Sequence, residues 1–527
     1  MRAGKNRCHE SVLWHVDSRT QLYVGVIISA LLIISMWVLP IAPLADWPIH
    51  LAMAQEAYLI WTGQLVHNFY YLDFSFLGYS FMYISLMLLQ TFFSIETSGK
   101  IVLSVLVLLT PLSWRFFLSR LDPKKTPLFV AGFLMFFSWP FYAGWVSFLY
   151  AVDFGLIFLA IGLNENRWGK KELLAMVAFG IFAYMAHLYV FFLCVFVILA
   201  NALYEIYMKN KPLRATYLLP TLALISLAAI NTIEIPQGVP DISFYKAVQA
   251  CVSEKVIMAE NLEWGVSYFG IIWRLAQSLD ITTMFPGMFL LDFLKATLIL
   301  LTAGFVTFLG IKTLADEKAA EVGEIIKSIK IEPRYFAIAA AMLLHTAIIP
   351  HHMVVQDQLP IGVRSIPLLI AFAIIAFKFE RAIKILFYAI AILAALNAGY
   401  MAHAFWEHAP GQAQIIEKLE QISEQIPDGS AAFIVPAKWN LALDYNKPLY
   451  ENPGYHSVLL MQKPSLYISG QFLYPPSTIL RSSFPLYDEM RLWDKPDNMT
   501  IFECYSDVPS QYGWIIDENM TLGKNDK

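Results

Sequence analysis

The stretch QLYVGVIISALLIISMWVLPIAPLAD, residues 21–46, is apolar from Gln21 to Ala45 and ends on a carboxylate. About 20 such residues suffice to cross a bilayer, and the run is too long for the core of a cleaved signal peptide. Its far end, PIAPLADW, has no small-x-small cleavage pattern, and a basic start (Arg2, Lys5, Arg7, Arg19) precedes it, so it reads as a retained anchor whose N-terminus stays inside. The rest of the chain agrees: across 527 residues it is 58% hydrophobic and 15% charged, the composition of a chain whose solvent is lipid. Phe, Tyr and Trp make up 15%, and Trp and Tyr favour the bilayer interfaces. A net charge of -4 carries no nucleic-acid face. The four cysteines (Cys8, Cys194, Cys251, Cys504) have no metal-type spacing, and at most Cys251 and Cys504 fall on one side to pair.

Apolar runs recur at 100–117, 127–145, 146–163, 173–189, 190–208, 216–231, 286–311, 335–350, 366–380 and 384–405, which with 21–45 makes about eleven spans. Lys and Arg gather in alternate connections, at Arg115–Lys125, Arg167–Lys171, Lys209–Arg214, Lys312–Arg334 and Lys378–Lys384. By the positive-inside rule these are cytoplasmic, so loops 46–99, 232–285 and 351–365 and everything after 405 are exterior. A crossing at Ser80–Ser94 would throw the Arg115–Lys125 loop to the wrong side, so that segment, like 266–280, is read as interfacial or re-entrant. The expected fold is an all-α polytopic transmembrane bundle of about 11–13 helices over residues 1–405, followed by a small exterior α/β or β-rich domain over 406–527. Within that tail, 411–425 has an amphipathic helix pattern, AAFIVP reads as a short strand, and runs such as VLLM and LYIS alternate with turns. Two glycosylation triplets, at Asn498 and Asn519, fall on the exterior side. No repeat at a fixed period is visible.

The segment PLADWPIHLAMAQEAY, 43–58, places Asp46 where the first helix leaves the membrane. Pro48 suits the first turn of a new helix, with Asp46 or Trp47 near its cap, and His50 and Glu56 fall on that amphipathic, surface-lying helix. A plain capping role explains this segment by itself. Other polar residues reach the same side: Asp153 a turn or two inside a helix, His187 and Tyr189 at the exterior end of the fifth span, and His351, His352, Asp357 and Arg364 in the loop HHMVVQDQLPIGVR. An ionisable residue at membrane depth is costly unless paired or facing a wet cavity. Taken singly, His187 is more simply a hydrogen-bonded packing residue and Arg364 a helix boundary. Together they outline an exterior cavity in which carboxylates and imidazoles serve as general base or as ligands of a divalent metal such as Mg, Mn or Zn, and Arg364 grips a phosphate with its forked donors. No HExxH, Gly-rich phosphate loop or GxSxG elbow is present.

The segment ADWPIHLA, 45–52, resembles the acidic motif and juxtamembrane helix of the membrane-embedded glycosyltransferases of the GT-C superfamily, and more closely a DYPNH-type motif in a set of bacterial multipass proteins. WPFYAGWVSFLY (139–150), AHLYVF (186–191) and YHSVLLMQKP (455–464) look like further motifs of that set. The resemblance implies transfer of a sugar from a polyprenyl-phosphate carrier to a lipid, glycan or protein acceptor, on the extracytoplasmic face of a bacterial plasma membrane. It carries Asp46 over as the catalytic carboxylate, with His50 on the helix that follows. Asp153 enters by region, and a metal, if used, would lie on Asp46 and Asp153. The family often has two adjacent acids, whereas Trp47 follows Asp46 here, which leaves metal dependence open. Two other classes compete: a transporter or lipid-handling protein, which predicts inverted repeats and midplane charges, and a membrane scaffold without catalysis.

Overall fold

The computed structural model describes residues 16–44, 46–65, 70–72, 78–142, 144–164, 169–209, 330–348, 362–378, 383–428, 431–434, 458–464, 467–468, 480–482, 514–516 and 522–524. Helix α1 (Ser18–Val38) starts at Asp17, whose carboxylate accepts from the Thr20 amide (2.8 Å) and the Thr20 hydroxyl (2.5 Å) and so satisfies a free first-turn donor. One side of α1, with Leu22, Val26, Ile27 and Ile34, is exposed, as a lipid-facing surface must be, while Ile28, Leu32 and Met36 are buried. Helix α2 (Trp47–Trp61), helix α3 (Ser80–Gln90) and helix α4 (Ile95–Leu121) follow. A 3-10 segment, Pro123–Phe137, leads through the single turn α5 (Trp139–Tyr142) into α6 (Val146–Gly162), α7 (Lys170–Ala186) and α8 (Leu188–Lys209). Later come α9 (Pro333–Ile348), α10 (Ile366–Ala376), α11 (Ile383–Gln425) and the short α12 (Val458–Gln462).

Four stretches, Ser18–Val38, Ile95–Leu121, Leu188–Ile206 and Ile383–His403, are long and apolar enough to cross a membrane. The chain is thus a helical integral membrane protein. The helices match the apolar runs closely from 95 to 121, from 146 to 209 and again from 333 to 376. The segment 80–94, expected to be interfacial or re-entrant, holds an 11-residue helix, about 16 Å long, too short for a span.

Three elements differ from the sequence reading. The run 127–145 is a 3-10 segment and a separate short helix: Pro127 supplies no amide for the residue 123 carbonyl, and Gly132 lets the segment lie against the Trp114 indole, where a Cβ would come within 2.8 Å of the ring. Helix α11 is continuous across residue 405, where a domain boundary was expected, and carries 411–425 as its own extension. Pro410 inside it removes one helical hydrogen bond, and the Gln412 side chain ties that part of the helix to the backbone of Ile41. Finally, α2 is not a solvated surface helix. Gln55 donates to the Met461 carbonyl of α12 (2.9 Å), and Gln462 and Lys463 in turn donate to carbonyls of α11 and its end. Glu56, the next residue, is fully buried.

Short strands also pair: β1 (Tyr70–Leu72) of the first loop runs antiparallel to β6 (Leu480–Ser482) of the tail, and β2 (Lys330–Ile331), before α9, to β3 (Phe377–Lys378), after α10. The strand expected at AAFIVP is β4 (Ala431–Ile434), parallel to β5 (Tyr467–Ile468) and to β7 (Trp514–Ile516), with β8 (Leu522–Lys524) antiparallel to β7. The VLLM run is helix α12 rather than strand. Most of the domain expected over 406–527 lies outside the described residues, as do the runs 216–231, 266–280 and 286–311, Cys8, Cys251, Cys504 and both glycosylation triplets. Cys194 is buried, with its sulfur where a Cβ on Gly155 would come within 2.8 Å.

Candidate functional site

After α1 the chain runs without helix through Leu39–Leu44 and is held in place there by Gln412, whose amide donates to the Ile41 carbonyl (2.8 Å) and accepts from its N–H (3.4 Å). Asp46 then occupies the N-cap position of α2, with Pro48 in the first turn. Its backbone is helical (φ -92, ψ -3), and its carboxylate makes no capping hydrogen bond, so the capping role expected for it is not the one it plays.

What lies against Asp46 is the turn between α5 and α6. Gly144 has φ +86, a left-handed conformation that disfavours a side chain, and a Cβ there would sit 2.9 Å from the Asp46 amide nitrogen and 3.2 Å from its Cβ. The next residue, Trp145, carries the Arg364 guanidinium on its indole face at 4.2 Å. Arg364, buried in a 3-10 turn just before α10, donates from Nη1 to His187 Nε2 at 2.9 Å. The Tyr79 ring meets the His187 ring edge-on at 4.5 Å. Tyr79 is itself at φ +65, the only positive φ outside glycine among the described residues, and such a strained residue persists only where its surroundings hold it. Two consecutive residues thus lie against the Asp46 backbone and beneath the Arg364 guanidinium.

No family model, curated protein or solved structure matches the chain.

His50 lies one turn beyond Asp46, and its Nδ1 is 2.7 Å from the Tyr83 hydroxyl of α3. Burial pushes the imidazole down to about 4, so His50 is neutral at physiological pH. Burial, and next the Asp46 charge, push the Tyr83 phenol above its usual range, which puts Tyr83 within the electrostatic reach of Asp46. Asp46, His50 and Tyr83 therefore form one group, and Arg364, His187, Trp145 and Tyr79 a second, joined by the 144–145 turn.

Asp153 joins neither. It lies seven residues into α6, about 10 Å along the axis from its start. Its two carboxylate oxygens accept from the Thr110 and Ser113 hydroxyls of α4, each at 2.6 Å. Those hydroxyls flank Pro111, so this buried acid fastens α6 to α4 at the proline. The hydrogen bonds described for Asp153 run to α4 and none of them reaches Asp46, with which it was expected to share a cavity or a metal. Among the described residues no three His, Cys, Asp or Glu side chains come together as metal ligands. His351, His352 and Asp357 lie outside the described residues.

Tyr83, Gly144, Trp145 and Gln412 were not singled out from the sequence. A glycine within the aromatic run WPFYAGWVSFLY was the available signal for the turn, and a hydroxyl in the apolar run 80–90 was the signal for Tyr83.

Proposed function

We propose that the chain is a membrane-embedded glycosyltransferase that moves a sugar from a polyprenyl-phosphate carrier to a lipid, glycan or protein acceptor on the extracytoplasmic face. The observation that carries the reading is the Gly144–Trp145 turn, one residue against the Asp46 backbone and the next beneath the Arg364 guanidinium. Such a pair suits displacement at an anomeric carbon. Asp46 takes the proton of the acceptor hydroxyl as its oxygen bonds to that carbon, the bond from carbon to phosphate oxygen breaks, and the departing electron pair stays on the phosphate beside Arg364. A site at the end of α1 gives a lipid-linked donor direct access from the bilayer. The GT-C resemblance of ADWPIHLA, the alternation of basic loops that puts the N-terminus in the cytoplasm, and an exterior α/β or β-rich domain after α11 belong to the same reading.

The test is Asp46→Asn, assayed in membranes supplied with a polyprenyl-phosphate-linked sugar. Transfer is lost while the variant inserts and melts as wild type does. Undiminished transfer by that variant would sink the assignment of Asp46.

A further inference from the structure

Lys100 lies on the second turn of α4, inside the apolar span Ile95–Leu121. The stripe that it starts runs at four-residue steps through Ser104 and Leu108 to Leu112, and the two leucines are exposed on the outer surface of the helix. Phe92 and Phe93, both exposed, carry apolar surface up to the start of α4. An ammonium bordered in this way is costly unless water or an anion reaches it. Among the described residues the Lys100 ammonium makes no hydrogen bond and no ion pair. Glu96, one turn nearer the helix start, attracts it without pairing.

What faces the ammonium is the Trp37 indole of α1, with its ring centre 5.5 Å from Nζ. The indole is fixed there. Its Nε1 donates to the Ser104 hydroxyl at 2.9 Å, and that hydroxyl donates to the Lys100 carbonyl at 2.7 Å. Trp37 is the next-to-last residue of α1 and is 44% exposed, the placing of a tryptophan at a bilayer interface. Gly99, beside Lys100, packs inward instead: a Cβ on it would come within 2.7 Å of Leu51 and 3.4 Å of Trp47, both on α2. The Lys100 patch therefore looks onto the bilayer, while its neighbour looks onto the helix that Asp46 caps.

We propose that Lys100, seated on Trp37, binds the headgroup phosphate of an anionic phospholipid of the surrounding bilayer, whose acyl chains run along the Leu108 and Leu112 stripe. The ammonium supplies three N–H donors and a positive charge, the phosphate supplies acceptor oxygens and the opposite charge, and the exposed leucines supply the apolar surface. This lipid is a resident of the outer seam between α1 and α4. It is not the sugar donor, whose phosphate belongs beside Arg364 in the reading above, and its binding stands or falls independently of sugar transfer.

The experiment is native mass spectrometry of the full chain, released from detergent micelles that hold phosphatidylglycerol and phosphatidylcholine of the same acyl chains in equal amounts. Wild type binds its first phosphatidylglycerol about fivefold more tightly than phosphatidylcholine. Lys100→Gln brings that ratio close to one at an unchanged melting temperature, and Lys100→Arg keeps it. Lys170→Gln, which removes an exposed cation at the start of α7, keeps it too. Should Lys100→Gln melt early, Trp37→Leu decides the matter, since it retains the charge, removes the ring beneath it and still lowers the ratio. A preference that survives in Lys100→Gln, or that Lys170→Gln abolishes equally, overturns the proposal, as does a wild type that binds both lipids alike. Farnesyl phosphate bound at Lys100 more tightly than phosphatidylglycerol would put the donor in place of the resident lipid and overturn it as well.

Discussion

Arg334 and Arg364 are both buried guanidiniums, and their described partners differ. Arg334, at the start of α9, donates to the Asn201 side chain and to the Leu163 carbonyl at the end of α6 (3.0 Å), and stacks on Tyr335 at 5.2 Å. Nearby, buried Lys125 donates to the Ile375 carbonyl near the end of α10 and pairs with Asp122 at 3.2 Å. Each of these cations satisfies a carbonyl in the last turn or just beyond the end of a helix, where the helix leaves carbonyls without partners and its dipole favours positive charge. Arg364 instead faces a ring nitrogen and an indole. Burial alone therefore does not separate a structural cation from a site cation. The described partners differ: Arg334 and Lys125 hold backbone carbonyls, whereas those of Arg364 include a ring nitrogen and an indole face.

Among the substitutions that lower stability, Arg334→Ala is expected to cost the most, about 3 kcal/mol, since it strands a buried amide oxygen and a buried carbonyl. A thermal melt in detergent measures it, and the fraction that remains folded transfers sugar at the wild-type rate. A melting loss at Arg364→Ala as large as that at Arg334→Ala would erase the distinction between the two.

Glu56 sharpens the comparison through pH. Burial raises its carboxyl from 4.5 to about 9. The folded state therefore holds a proton that the unfolded state releases above pH 4.5, so stability falls as pH rises from there to about 9, by at most about 1.4 kcal/mol per unit. Glu56→Gln flattens that slope and melts higher at pH 8. An identical slope in the variant would place the dependence elsewhere. Gly144→Ala is next, at about 1–2 kcal/mol for a side chain at φ +86, and it shifts the Asp46 backbone, so transfer drops more than the melt does. Smallest is Tyr83→Phe, about 1 kcal/mol for one hydrogen bond, read as a change in the His50 titration by NMR.

The sequence told where the polar residues reach the membrane boundary and much less about which of them meet. Helices from 95 to 121 and from 146 to 209 were legible because hydrophobic run length and charge alternation are local properties. Asp46 and Arg364 were legible for the same reason, as charged residues beside apolar runs. The partners of Asp153 were not legible because Thr110 and Ser113 lie some 40 residues away on another helix. The burial of α2 was hidden for a similar reason: Gln55 and its partner Met461 are 406 residues apart. The length of α11 was concealed by Pro410, which marks a break in a local reading but is tolerated inside the helix.

The most direct test sets the two acids against each other. Asp46→Asn and Asp153→Asn are produced at equal levels in membranes, and sugar transfer from a polyprenyl-phosphate donor is measured per folded molecule. The account predicts that Asp46→Asn loses transfer by two orders of magnitude or more, whereas Asp153→Asn melts lower and transfers at nearly the wild-type rate. Transfer that survives in Asp46→Asn and vanishes in Asp153→Asn would contradict it.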